Sequence, residues 1–149
     1  MVSALEGAGR DIVSQLVRTV PMTQKRKKRA NEIRFHEFDR FNRELADIFD
    51  INVSQNFSDE EKSFISRMFL RRHVYEHLGG IVDERYVQKS ADSNVRVGQL
   101  LRDSKVNTLR FADKIIEIMV RLQEGFHEIL PVNGTAIQIL APKKVKRQV

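Results

Sequence analysis

Few residues in this chain can interrupt a helix, and this feature constrains its fold more than any other. Only three prolines and seven glycines occur in 149 residues. Apolar residues recur every three to four positions and strict alternation never persists, which is the pattern of amphipathic helices. The sequence therefore predicts an all-α domain.

Start and stop signals divide the chain into its predicted helices. Pro21 ends the first helix, and Thr23 can cap the second. Ser58 and Glu61 have the spacing of a capping box, and Ser104 can cap the last and longest helix. The predicted helices cover residues 4–20, 23–49, 59–77, 82–88 and 104–130, with loops at 50–57 and 89–103.

Two apolar stripes predict which faces of the helices are buried. In the second helix the stripe is Phe35, Phe38, Phe41, Leu45, Ile48 and Phe49, interleaved with Arg34, Arg40 and Arg43. Such rings could stack on RNA bases, but phenylalanines at helical spacing most often form a core, and we favour the core. In the last helix the predicted inward residues are Leu109, Ala112, Ile116, Met119, Val120, Leu122 and Phe126.

The composition is that of a globular chain and excludes several kinds of site. Hydrophobic residues make up 41% and charged residues 31%. No run approaches the roughly 18 apolar residues of a membrane-spanning helix, and the first residues do not predict a secretory signal. Because there is no cysteine, disulfides, thiolate metal sites and cysteine nucleophiles are excluded. We expect a cytoplasmic protein without a membrane segment.

Positive charge is concentrated in two runs. One comprises Lys25, Arg26, Lys27, Lys28 and Arg29; the other, near the C-terminus, includes Lys143 and Lys144. The net charge is +6, and the two runs together exceed it, so the rest of the chain is mildly acidic. Both runs could contact an RNA backbone, or they could simply be solvated. We predict a helical domain over 1–131 and a basic tail over 132–149.

The segment from Arg71 to Gly80 carries the richest chemistry. It holds two arginines, two of the four histidines, a tyrosine and a glutamate at the end of a predicted helix. Arg72 follows Met68 by four positions and Phe69 by three, so it leaves the helix from the buried side. Because an isolated buried arginine is costly, we expect an acidic partner, a second subunit or an anionic ligand beside it.

Three interpretations of this segment stay open. His73, Glu76 and His77 match the H-x-x-E-H string of a zinc site, although no third ligand is evident. Arg72 and His77 also suit a metal-free ribonuclease, since imidazole exchanges protons near neutral pH and guanidinium clamps phosphate. In the third interpretation the histidines are ordinary polar residues and Arg72 forms a salt bridge.

The segment resembles the HEPN superfamily of helical nucleotide-binding domains. The HEPN signature is an arginine and a histidine with four to six residues between them, often with a polar residue directly after the arginine. Arg72-x4-His77, with His73 after the arginine, fits that signature. The phrase RRHVYEHLGGIVDERYVQKS and the helices around it also resemble stand-alone bacterial HEPN proteins, over about residues 30–130.

This resemblance implies a bundle of four to five helices that pairs as a homodimer, with a composite site where two Arg–His pairs meet. Five positions turn a regular helix so that Arg72 and His77 lie about 140° apart, and the helix must loosen at His77 or a second protomer must complete the site. The implied function is metal-independent endoribonuclease in a toxin or antiviral defence setting, with no cofactor. His77 would be the acid/base group and Arg72 the phosphate clamp, supported by Arg71, His73 and Glu76.

We therefore predict RNA as the substrate, the basic runs as its backbone contacts, and an antitoxin or a defence-complex protein as a partner. The alternative is a non-catalytic HEPN module that binds RNA or nucleotides, or serves as a scaffold subunit of a larger complex.

Overall fold

The structure, a computed structural model, describes residues 1–132 and consists there of six α-helices. They are α1 (Val2–Thr19), α2 (Gln24–Asn31), α3 (Phe38–Phe49), α4 (Asp59–His77), α5 (Glu84–Ser90) and α6 (Lys105–Ile129). This part of the chain contains no strand, only one isolated antiparallel bridge between Ile81 and Leu100. The all-α prediction is confirmed. The predicted tail beyond Val132, with Lys143 and Lys144, lies outside the described residues.

The predicted start and stop signals are found where helices begin and end. The Thr23 hydroxyl accepts a hydrogen bond from the Arg26 amide at the start of α2. Ser58 and Glu61 form both bonds of the capping box at the start of α4, and Ser104 caps α6. α1 ends at Thr19, two residues before the proline. These boundaries follow from local chemistry, so the sequence predicts them well.

The main core lies between α1, α3, α4 and α6. α1 packs against α2 and α6, and α4 packs against α3, α5 and α6. At its centre Phe41 contacts Phe38 and Phe69, with ring centroids 5.5 Å and 6.1 Å away, and Phe69 contacts Phe111 at 5.5 Å. The phenylalanine stripe is thus a core, as predicted. Among the described residues, none of the helices is long and apolar enough to cross a membrane.

The predicted second helix is interrupted, which raises the number of helices within residues 1–132 to six. Residues 32–37 form turns between α2 and α3. Ile33 and Phe35 are both buried, two positions apart, which a continuous helix would not allow on one face. Phe35 packs on Gly9 of α1 so closely that a Cβ at that glycine would overlap its ring. This long-range contact fixes the break, and no local breaker marks it.

The predicted buried face of α6 is wrong in part. Leu122 is buried, but the other fully buried residues are Phe111, Ile115 and Ile118. Leu109, Ile116 and Val120, which were predicted to face inward, are exposed. The helix carries apolar residues on two opposite faces, so periodicity alone could not select the one that meets the core.

A small second core holds the end of α4 to the segment that follows it. Val74, Val82, Tyr86 and Leu101 are buried together there. This cluster fixes α5 beside the last turns of α4, and so it positions the segment from Arg71 to Gly80 against α5.

Candidate functional site

The last two turns of α4 present the segment that the sequence singles out. The helix ends at His77 because Gly79 and Gly80 both adopt positive φ angles, 59° and 84°. The amide of Gly80 returns to the carbonyl of Val74 at 3.1 Å and closes the helix end. His77 therefore lies in the final turn of α4.

A cleft of about 770 Å³ opens along this end of α4. Its walls come from α1, the turns at 32–37, α3, α4 and α5. Ser66, Phe69, Leu70, His73 and His77 lie along one face of α4, and Arg72 and Glu76 border that face. This arrangement resolves the angular problem of the motif: Arg72 and His77 line one cleft in a single protomer, on an intact helix.

Three of the four histidines in the sequence line this cleft. The rings of His73 and His77 are adjacent, with centroids 4.7 Å apart, and His36 contributes from the turns before α3. Burial lowers the pKa of His73 below 6.5, and the charges of His77 and Arg85 lower it further. His73 is thus biased towards its neutral form, which can accept a proton.

The cleft also gathers positive charge from several elements. Its cationic side chains are Arg34, Arg40, Arg43, Arg72, Arg85 and Lys89. Its carboxylates are Glu6, Glu37, Asp39, Glu76 and Asp83. Six cations against five carboxylates leave a small positive excess, and arginines from several elements can donate to one anionic ligand at once.

The charge of Arg72 is balanced by carboxylates of the same chain. Of the three expected partners, an acidic residue, a second subunit or an anionic ligand, the structure thus shows the first. Its Nη1 lies 3.0 Å from a Glu6 oxygen and its Nε 2.9 Å from a Glu76 oxygen. Within residues 1–132, Nη2 has no hydrogen-bond partner. The guanidinium therefore keeps donors for a phosphate, but a phosphate must compete with two carboxylates for its charge.

Arg71 faces away from the cleft lining and serves an internal network. It bonds Asp92 at 2.7 Å, the Tyr86 hydroxyl at 3.0 Å, and Asp103. Burial by itself lowers the pKa of Arg71. The hydrogen bond to Asp92 and the neighbouring charges have a larger combined effect, so the pKa of Arg71 is raised above its ordinary value. This geometry explains how Arg71 could support the site, by holding α4 against the segment from Tyr86 to Asp103.

The basic run on α2 does not reach the cleft. Arg26 donates to the carbonyl of Ile48 at 2.6 Å, at the end of α3, and Arg29 pairs with Asp47 at 3.5 Å. Lys25, Lys27 and Lys28 form no ion pair with other described residues. A contact of this run with RNA stays a prediction, as does that of Lys143 and Lys144, which lie outside the described residues.

Nothing in the described part of the chain supports the zinc interpretation. His73 and His77 are close together, but no group of three or more His, Asp or Glu side chains among residues 1–132 could hold a metal ion. A protein zinc site needs at least three such ligands.

Sequence reasoning missed most of the wall opposite α4. Arg34, His36, Arg40 and Arg43 come from the turns before α3 and from α3 itself, and Arg85 comes from α5. The interleaving of arginines with the phenylalanine stripe was a usable signal. When the rings of such a helix are buried, the arginines between them must line a surface, and here that surface is the cleft.

No protein family model, curated protein or solved structure matches this chain. The HEPN resemblance of residues 30–130 therefore stays a prediction, and the function is argued from the cleft itself.

Proposed function

We propose that this protein is a metal-independent endoribonuclease whose reaction takes place in the three-histidine cleft. The observation that carries the proposal is the pair of adjacent imidazoles, His73 and His77, in a cleft lined by several cationic side chains. RNA cleavage by its own 2′-hydroxyl requires a base, an acid and positive charge near the phosphate, and two imidazoles beside arginines are groups of these kinds.

In the proposed reaction the 2′-oxygen attacks the adjacent phosphorus and the bond to the 5′-oxygen breaks. His73 accepts the proton of the 2′-hydroxyl, a role favoured by its lowered pKa. His77 donates a proton to the departing 5′-oxygen. The products are a 2′,3′-cyclic phosphate and a 5′-hydroxyl, so no water, metal or cofactor enters this step.

Arginines of the cleft would bind the charge that grows on the phosphorane. Arg72 has a free Nη2 for this purpose among the described contacts, and Arg85 lies close enough to His73 to lower its pKa. In this proposal Glu76 orients Arg72 through their ion pair, in which the Arg72 Nε lies 2.9 Å from the carboxylate oxygen. Arg71 acts at a distance, by holding α4 in place.

A second candidate function is RNA or nucleotide binding without cleavage, and one observation favours it. Both Glu6 and Glu76 pair with Arg72, so the phosphate clamp of the motif is already neutralised. A cleft of this kind could bind RNA through the arginines of α3 and α5 and still lack a charge stabiliser for the transition state.

The biological setting rests on the HEPN resemblance alone. It supports, as part of the same proposal, a HEPN-like bundle, a toxin or antiviral defence role in the cytoplasm, and an antitoxin or defence-complex protein as a partner.

The test is incubation of the full chain with total cellular RNA in EDTA, followed by a denaturing gel. His73→Ala and His77→Ala are compared with His127→Ala, which changes the one histidine that does not line the cleft. We expect the parent and His127→Ala to cut, and the two cleft variants to lose about 100-fold or more. Equal cutting by all four proteins would exclude this site. Intact RNA throughout, together with RNA binding that the cleft variants weaken, would favour the binding module.

A further inference from the structure

A second surface lies outside the cleft, where α4 ends and the chain runs back beside it. Its exposed apolar side chains are Tyr75, Leu78, Ile81 and Leu100, with exposures of 41%, 36%, 44% and 50%. None of the four lines the cleft. Exposed apolar side chains that are scattered singly are ordinary, but a contiguous group marks a surface that binds something.

These four side chains are contiguous. A methyl group placed on Gly80 would lie 3.1 Å from Cδ1 of Leu100 and 3.5 Å from Cδ1 of Tyr75, so both side chains cover that glycine. Ile81 lies opposite Leu100 in the antiparallel bridge, and Leu78 follows Tyr75 by three positions at the end of α4. The four residues form one apolar area, which we call the end patch.

The backbone beside the end patch is a short open β edge. The Val82 amide donates to the Gln99 carbonyl at 2.9 Å, and the Leu101 amide donates to the Gly80 carbonyl at 2.8 Å. In this pattern the amide and carbonyl of Leu100 point away from the opposite segment, and neither has a hydrogen-bond partner within residues 1–132. An extended chain can pair with such an edge through its own backbone.

Side chains alternate in direction along this edge. Val82 and Leu101 are buried in the small second core, whereas Ile81 and Leu100 point outward. A chain added at the edge would place every second side chain on the outward face, beside Leu100. The end patch therefore suits an extended segment that carries apolar residues at alternate positions in its middle.

Positive charge flanks the apolar part of the edge on both sides. Between Val95 and Lys105 there are three exposed cations that form no ion pair with another described residue, namely Arg96, Arg102 and Lys105. The only carboxylate in that range is Asp103, which is paired with Arg71. Asp83 and Glu84 follow the opposite segment, on the side away from the open edge. An added chain with carboxylates at both ends would complement this charge.

We propose that the end patch binds an extended, acidic segment of another protein by β-strand addition at Leu100. The backbone of the segment bonds the free amide and carbonyl of Leu100, and its central apolar side chains cover Leu100 and Tyr75. Its flanking carboxylates face Arg96 and Arg102. Because the end patch lies outside the cleft, this interaction does not depend on RNA cleavage.

Two other occupants fit the surface less well. Residues 133–149 carry no acidic residue and four cationic ones, Lys143, Lys144, Lys146 and Arg147, so at the open edge they would place positive charge beside positive charge. An RNA strand would meet the cations, but it has no peptide backbone to pair with Leu100. An acidic peptide segment matches the charge, the apolar area and the edge together.

The test titrates the full chain with two capped seven-residue peptides and follows its amide chemical shifts by NMR. Each peptide has three central valines, flanked on each side by two glutamates in one peptide and by two lysines in the other. We expect the acidic peptide to shift the Leu100 amide with a Kd on the order of 100 μM, and the basic peptide to bind about tenfold more weakly or worse. N-methylation of the acidic peptide along its bonding edge should abolish binding, because it removes the backbone donors.

Variants of the chain test the apolar and the charged contacts separately. Leu100→Ser should weaken the acidic peptide about tenfold, whereas Ile116→Ser, at an exposed apolar residue of α6, is the control and should leave the Kd unchanged. Arg96→Glu combined with Arg102→Glu should reverse the preference, so that the basic peptide binds more tightly.

Three results would overturn the proposal: no shift of the Leu100 amide up to about 1 mM acidic peptide, equal Kd values for the two peptides, or an unchanged Kd in Leu100→Ser. Other observations would assign the end patch to a different occupant and would also overturn it. These are shifts of the same amides with protein concentration alone, which indicate a second copy, cross-links from residues 133–149 to the patch, and tighter binding of an RNA oligonucleotide there.

Discussion

Replacing Arg71 by methionine should destabilise the fold more than any exposed change in α4. The guanidinium bonds two carboxylates and a tyrosine hydroxyl, with side-chain exposures of 14% for Arg71, 3% for Asp92 and 12% for Asp103. Removing one partner of a buried ion pair costs about 3–5 kcal/mol, because the remaining charge stays buried without compensation. Methionine keeps most of the volume, so this charge effect dominates. We expect a loss of about 4 kcal/mol, or a fall in Tm of roughly 10–15 °C for a chain of this size.

Urea denaturation followed by far-UV circular dichroism measures this loss at pH 7. Arg67→Met is the matched control: the same change in the same helix, at an arginine that forms no ion pair with another described residue. The control should lose less than about 1 kcal/mol. An equally small loss for Arg71→Met would show that this network does not hold the end of α4.

The pH dependence of the same variant gives an independent check. Burial by itself raises the pKa of Asp92. Hydrogen bonds, chiefly the one from Arg71, lower that pKa by more than burial raises it, so the pKa lies below 3.8. In the parent, the stability from Asp92 is therefore complete above about pH 4 and is lost as the pH falls through the lowered pKa. Without Arg71, burial acts alone and the carboxyl accepts a proton more readily. The difference in stability between parent and variant should shrink as the pH falls from 7 towards 4; a constant difference would contradict this account.

Three further predictions concern the cleft and the core. If His73 is the base, kcat/KM for RNA should fall to half its maximum below pH 6.5, because the pKa of His73 lies below that value and the reaction needs its neutral form; a midpoint above pH 6.5 in a pH–rate profile would count against it. Glu6→Gln should tighten RNA binding about two- to fivefold by fluorescence anisotropy, since it removes one carboxylate from Arg72; weaker binding would argue against phosphate at that arginine. Gly9→Ala should cost about 1–3 kcal/mol in urea denaturation, because its methyl group would enter the phenylalanine ring that packs there, whereas Gly7→Ala has open space and should not destabilise; equal stabilities would refute the close contact.

The ends of the helices can be predicted from the sequence, whereas the tertiary contacts of each helix cannot, and the reason is physical. A capping hydroxyl such as Ser58 and a helix-ending pair such as Gly79-Gly80 act within a few residues, so they can be read from the chain alone. The turns at 32–37 depend on Phe35 reaching Gly9, more than 20 positions away. Tertiary contacts of this kind leave no local signal.

The candidate site, too, could be predicted from the sequence only where its residues are close together in the chain. The motif Arg72-x4-His77 could be selected from sequence, and both of its residues line the cleft. Its ion pair with Glu6, from the first helix, and the contribution of His36 could not, because each joins segments that are far apart in the chain. The face of α6 was misjudged because both of its faces are apolar, and only packing shows which one meets the core.

In the proposed reaction the 2′-hydroxyl of RNA is the nucleophile in the three-histidine cleft. The most direct measurement incubates the full chain in EDTA with one oligonucleotide sequence made as RNA and as its 2′-deoxy analogue, and identifies the ends of the products by mass spectrometry. We expect cleavage of the RNA alone, with 2′,3′-cyclic phosphate and 5′-hydroxyl ends. Cleavage of the deoxy strand, or RNA that stays intact while bound in the cleft, would contradict it.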